Sequence, residues 1–156
     1  MIEIESKFLV ISEDFKNESF KSFSIKQGFL NTDPLRTVRV RLTGDKAYLT
    51  VKGKSYDDGL SRFEWEHPIP VEDALKLLKL CEDDIIEKER FLIRADEHVF
   101  EVDVFDNNNK GLIIAEIELK TKTESFTQPK WLGQEVTGDP RYYNAQLSQQ
   151  PFKTWT

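Results

Sequence analysis

The stretch "MIEIESKFLV" (residues 1–10) alternates strictly from Ile2 onward. Ile2, Ile4, Phe8 and Val10 share one side of an extended strand, while Glu3, Glu5 and Lys7 share the other, because successive strand side chains point to opposite faces. Taken alone, such a charged face belongs in water. The pattern returns, however, along the whole chain. "TVRVRL" (37–42) sets Arg39 and Arg41 against Val38, Val40 and Leu42, and "AYLTVK" (47–52) sets Tyr48, Thr50 and Lys52 against Ala47, Leu49 and Val51. "RFEWE" (62–66) sets Arg62, Glu64 and Glu66 against Phe63 and Trp65. Lys88 and Arg90, then Glu101 and Asp103, then Glu116, Glu118 and Lys120 repeat it.

Every one of these strands has a second, apolar face that needs cover, and helices are scarce. Turn signals at "TGDK" (43–46), "SYDDGL" (55–60) and "DNNNKG" (106–111) punctuate period-2 segments. Strands are predicted near 2–11, 24–31, 36–43, 46–53, 60–69, 84–94, 98–106 and 111–121. The single substantial helix is predicted over 71–81, with Pro70 ahead of it, Glu72 and Asp73 in its first turn, and Val71, Ala74, Leu75 and Leu78 as its apolar stripe. Short helices are expected after Ser12 and after Asp139-Pro140. Eight strands are enough to close a barrel. Closing it with the charges inside puts the apolar faces under helices or a partner subunit, which leaves room for a homodimer. Many charges in a cavity are costly unless they pair or hold ions. The bases suit a polyanion such as polyphosphate, and the clustered carboxylates suit hard divalent cations.

Composition narrows the class. The chain has 156 residues, 32% of them charged, enough for one domain (1–156) with a core. A net charge of -6 argues against a nucleic-acid binder, which carries a basic excess. Cys81 is the only cysteine, so a reducing, cytoplasmic setting is expected. Charges begin at Glu3 and no apolar run reaches membrane-span length, so neither a leader nor a transmembrane helix is expected. His67 and His98 are too few and too scattered for a histidine metal site.

The N-terminal "EIESK" resembles the E-x-E-x-K signature of the CYTH superfamily, the triphosphate tunnel metalloenzymes. The resemblance continues in order through "IKQGFL", "TVRVRL", "AYLTVKG", "GLSRFEWEHPI", "EKERF", "FEVDVF", "GLIIAEIEL" and "WLGQEVTGDPRYYN". It implies a mainly β fold with a closed eight-stranded antiparallel tunnel, a triphosphate substrate, and Mg²⁺ or Mn²⁺. By resemblance Glu3, Glu5, Glu116 and Glu118 are the metal carboxylates. Lys7, Lys26, Arg39, Arg41, Lys52, Arg62, Lys88 and Arg90 are the expected substrate ligands, with Lys7, Glu5 and Lys88 closest to the chemistry. Glu64, Glu66 and Asp103 are additional acidic candidates, with Asp103 favoured over Glu101.

One position departs from a subgroup pattern: Phe29 stands where some small bacterial triphosphatases carry a tyrosine thought to act with the signature lysine. Phe29 cannot move a proton, so metal-activated water is the more economical mechanism. The leading expectation is hydrolysis of inorganic tripolyphosphate. A class IV adenylyl cyclase and a thiamine triphosphatase are enzyme alternatives, the latter needing an aromatic clamp for which Trp65 and Trp131 are candidates. A non-catalytic polyphosphate or nucleotide sensor is the alternative from another class.

Overall fold

The computed structural model describes residues 1–155. Strands β1 (Ile2–Val10), β2 (Lys21–Asn31), β3 (Arg36–Thr43), β4 (Lys46–Gly53), β5 (Ser61–Ile69), β6 (Glu82–Ala95), β7 (His98–Phe105) and β8 (Ile113–Glu118) form one antiparallel sheet in the order β5-β4-β3-β2-β6-β7-β8-β1. The sheet closes where β1 meets β5, pairing Ile2 with Phe63, Glu3 with Arg62 and Ile4 with Ser61. A ninth strand, β9 (Leu132–Glu135), adds to the other half of β1. Its four residues are too few to carry a readable alternation, and this strand is additional to the eight expected.

Tight turns set the register. Gly44, at φ +59°, opens the two-residue loop between β3 and β4, a geometry glycine adopts freely. The β4–β5 loop turns through three successive left-handed residues, Asp57, Asp58 and Gly59. Gly59 crosses Gly138 so closely that a Cβ on either would collide with the other's neighbourhood of backbone. That crossing pins the loop to the C-terminal segment.

Two apolar clusters cover the outer faces. Helix α1 (Phe15–Glu18) and the 119–131 loop bury Phe8, Phe15, Phe100, Ala115, Ile117 and Trp131, with the Trp131 ring edge-on to Phe100 at 5.4 Å and Phe15 at 5.9 Å. Each such large side chain contributes roughly 1.5–3 kcal/mol by leaving water. Helix α2 (Val71–Leu78) lies over β3 and β4, burying Ala74 and Leu78 on Val40 and Ala47. It ends three residues earlier than its periodicity predicts, since Lys79, Leu80 and Cys81 turn tightly to feed β6. Its stripe runs through Leu77, not Leu75, which is exposed; Leu77 lies three and four residues from Ala74 and Cys81 on the packed side.

A third cluster lies inside the barrel. Ile86, Phe105 and Ile114 share faces with Lys88, Asp103 and Glu116 and so point inward. They are capped by Tyr142, and by Leu147 of helix α3 (Asn144–Gln149). One end of the barrel is therefore filled with apolar side chains, and the charged interior occupies the rest. Among the described residues no helix is long and apolar enough to cross a membrane.

Candidate active site

Strand parity delivers the charged residues to a cavity of about 570 Å³ inside the barrel. Glu3, Glu5 and Lys7 enter from β1, Arg39 and Arg41 from β3, and Lys52 from β4. Arg62, Glu64 and Glu66 enter from β5, Lys88 and Arg90 from β6, Glu101 from β7, and Glu116 and Glu118 from β8. The inward-charge reading of the sequence thus describes the wall of one cavity.

Two predicted residues stand elsewhere. Lys26 lies half-exposed outside the barrel and pairs with Glu87 at 3.3 Å, because it alternates with the inward Gln27. Asp103 is buried behind the wall: Arg90 grips it through Nε at 2.7 Å and a terminal nitrogen at 2.9 Å, and Lys88 Nζ pairs with it at 2.7 Å. Both its oxygens are spoken for, so it buttresses the bases and is closed to a metal. Glu101, rated below it from sequence, is the one that reaches the cavity. Lys120, counted with the charged face, lies exposed beyond the end of β8.

The carboxylates crowd one another. Burial, then Glu116 and Glu3, push the Glu5 carboxyl well above the usual range. Burial opposes ionisation of Glu116 too, but Lys7, a hydrogen bond with Glu5, and Arg90 pull it well below. The two acids are thus pushed in opposite directions, Glu5 towards its neutral form and Glu116 towards its charged one. Glu64 is pushed up to about 7, by burial first and also by Glu3, against the pull of Lys52. Glu3 takes a hydrogen bond from Lys52 at 2.8 Å, and Glu118 is raised by burial, Glu3 and Glu101. Of these hard oxygen donors, Glu3 and Glu116 pair with bases, while Glu5, Glu64 and Glu118 have none within ion-pair distance among the described residues, which suits a hard divalent ion. Among the described residues no three acidic, histidine or cysteine side chains form a ready-made metal cage. A cation here needs oxygens from elsewhere as well.

The bases are under-neutralised in the same way. Burial, with Arg39 and Arg90 nearby, lowers Arg41 to about 9, and its side-chain hydrogen bond goes to the neutral Gln27 at 2.8 Å. Arg62 donates to the Gly53 carbonyl at 3.0 Å and to Thr37. Arg39 meets Glu66 at 3.5 Å, but its Nε is buried with no partner among the described residues. Burial likewise lowers Lys88 to about 7 in spite of Asp103, with Arg90 and Arg41 adding to the effect.

Sequence reasoning missed the C-terminal contribution. Thr137, Tyr143 and Asn144 also line the cavity. Lys7 Nζ donates to the Tyr142 carbonyl at 3.2 Å and lies over the Tyr143 ring, 5.3 Å from its centroid. A phenol is therefore beside the signature lysine although Phe29 supplies none, but the lysine faces its ring and makes no hydrogen bond to its hydroxyl. Neither tryptophan clamps the mouth: Trp131 is core, and Trp65 is outside, stacked on His67. Gln27 could have been noticed as the polar residue between Ile25 and Phe29 on the inward face. Asn144 ends the stretch "WLGQEVTGDPRYYN", but no alternation there marks it as a cavity residue.

A closed antiparallel barrel whose inner wall interleaves carboxylates with arginines and lysines defines a charge-lined β-tunnel. The chain belongs to the CYTH family: the CYTH domain matches residues 1–143. It is similar to the inorganic triphosphatase of Acetivibrio thermocellus, 46% identical over 154 residues and covering 98% of this chain and 97% of the relative. The inorganic triphosphatase of Nitrosomonas europaea is 35% identical over 153 residues, covering 95% of this chain and 97% of the relative. A crystal structure of an inorganic triphosphatase superposes with a TM-score of 0.67 at 31% identity, covering 94% of this chain and 93% of that one.

Proposed function

We propose that residues 1–156 act as a single CYTH domain that hydrolyses inorganic tripolyphosphate to pyrophosphate and phosphate with a divalent metal, Mg²⁺ or Mn²⁺. The observation that carries this reading is Arg41, a guanidinium inside the barrel whose side-chain partner is a neutral amide. With Arg39, Lys88, Lys52 and Lys7 around the same cavity, it calls for a multiply charged anion. The names of the two triphosphatase relatives support the same substrate. The setting we infer is cytoplasmic, from a sequence whose single cysteine, Cys81, allows no disulfide within the chain.

Arginines offer planar two-pronged donors to phosphate oxygens, and lysines offer point charges. Together they hold the chain of three phosphates while water adds at a terminal phosphorus and the bond to the bridging oxygen breaks. Pyrophosphate departs with its charge facing Arg39, Arg41 and Lys88, so these groups stabilise the leaving group as charge builds on it. A bound Mg²⁺ or Mn²⁺ supplies charge neutralisation and a more acidic bound water. Glu3, Glu5, Glu116 and Glu118 are the residues that would hold it. The donor set fits in its chemistry: all four carboxylates line one cavity, and Glu5 and Glu118 have no basic partner within ion-pair distance among the described residues.

Phosphate release from tripolyphosphate, ATP and thiamine triphosphate, with cyclic AMP assayed in parallel, tests the substrate. The expected result is fastest release from tripolyphosphate and no cyclic AMP. Preference for either organic triphosphate, or cyclic AMP formation, would replace this reading by the thiamine triphosphatase or cyclase alternative. Tight tripolyphosphate binding without release would make the protein a sensor.

A further inference from the structure

Asn144 stands on the cavity wall at the start of α3. Its Oδ1 accepts two hydrogen bonds, from Lys88 Nζ at 2.9 Å and from Gln27 Nε2 at 2.8 Å. Gln27 is wholly buried, and its Oε1 accepts from Arg41 Nε at 2.8 Å. The chain Arg41–Gln27–Asn144–Lys88 therefore ties β3, β2, α3 and β6 together.

Its direction is fixed at both ends, because guanidinium and ammonium groups only donate. Gln27 must give Arg41 its oxygen, which turns its amide nitrogen toward Asn144. Asn144 must give Lys88 its oxygen, which leaves its own Nδ2 over. That nitrogen makes no hydrogen bond to any described residue, on a side chain that lines the cavity.

Both links are neutral, and the neutrality has a purpose. A carboxylate at either place would orient the cation equally well but would cancel the charge a phosphate needs. Lys88 already shares one carboxylate, Asp103. An amide aims the ammonium and the guanidinium without consuming either charge.

We propose that Asn144 is a positioning residue for the substrate: it fixes Lys88 directly and Arg41 through Gln27, and it offers Nδ2 to the same phosphate oxygens. The inference rests on the tripolyphosphate reading above. It assigns the segment after the barrel a part in binding as well as in closing the barrel's end.

The test is steady-state hydrolysis of tripolyphosphate, with a thermal melt, on wild type, Asn144→Ala, Asn144→Asp, Gln27→Met and the double variant Gln27→Met/Asn144→Ala. Gln150→Ala, exposed at the end of α3, is the control and leaves activity unchanged. Asn144→Ala should raise KM about tenfold, the scale of one charge-assisted hydrogen bond, with kcat within about threefold. The double variant should be no worse than the more damaging single, because both break one chain. Asn144→Asp keeps the size and the acceptor, so it should fold normally and still show raised KM; it carries the test if the alanine variant does not fold. Unchanged KM in Asn144→Asp and Asn144→Ala, or effects of Gln27 and Asn144 that multiply in the double variant, would overturn the proposal. Wild type that does not cleave tripolyphosphate would instead overturn the functional reading on which it stands.

Discussion

Lys88 and Asp103 meet at 2.7 Å with their side chains at 0% and 1% exposure. Arg90 completes the cluster by gripping both Asp103 oxygens. Two bases that line the cavity are thus held by one buried carboxylate.

Replacing Asp103 by Asn should unfold the site before it alters the chemistry. Removing one partner of a buried ion pair costs about 3–5 kcal/mol, and here two cations lose it. Burial works against the Asp103 charge, but Arg90 and Lys88 overcome this and lower its pKa from 3.8 to about 2. A depressed carboxylate stabilises the fold above its unfolded pKa and loses that contribution as pH falls through the folded one. Asp103 should therefore cost the wild type stability between pH 3.8 and about 2, and Asp103→Asn should flatten that part of a urea-melt series. An unchanged acid slope in the variant would show that the cluster is not ionised as described.

Glu5 and Glu116 should part company in metal-free melts. Glu5 is raised by burial and by its acidic neighbours, so it destabilises the fold increasingly as pH rises above the ordinary carboxylate value. Glu5→Gln should keep or raise the melting temperature at pH 8. Glu116 faces Lys7 at 3.8 Å and Arg90 at 3.5 Å, so Glu116→Gln should lower it. Both should lose most metal-dependent turnover. Equal melting shifts would mean the two acids are not distinguished by their partners.

The two faces of β3 make a paired prediction. Arg41→Ala deletes a charged donor in the cavity and should cut kcat/KM about tenfold to a hundredfold, the equivalent of about 1.5–3 kcal/mol. Val40 is fully buried beneath α2. Val40→Ala should destabilise by about 2 kcal/mol and leave kcat/KM nearly unchanged. The reverse pattern would turn the strand around.

Lys26→Ala should leave tripolyphosphate kinetics within about twofold of wild type, since its pair with Glu87 is exposed on the outer surface. Lys52→Ala, which removes the partner of Glu3 inside the barrel, should not. A large kinetic effect at Lys26 would restore it to the site.

Alternation made most of this wall legible. Glu3, Glu5, Lys7, Arg39, Arg41, Glu64 and Glu116 follow from parity, a local property that survives folding because the hydrogen-bonded register preserves it. The same rule excludes Lys26, which is out of phase with Gln27, so that assignment came from the resemblance and not from the strand. What parity cannot carry is depth. Asp103 and Arg90 look alike as inward residues, yet one is sealed behind the wall and the other lines it. Asn144 reaches its partners across 56 residues to Lys88 and 117 to Gln27, through a loop with no periodicity to read.

On the proposed reading, tripolyphosphate would be cleaved in this cavity only in the presence of a divalent cation, which Glu3, Glu5, Glu116 and Glu118 would hold. Phosphate release from tripolyphosphate, followed with Mg²⁺ or Mn²⁺, then with excess EDTA, then with metal restored, tests it directly. Turnover is expected with metal, with its loss in EDTA and its return on restoring metal. Full turnover in excess EDTA, or none with either metal, would contradict it.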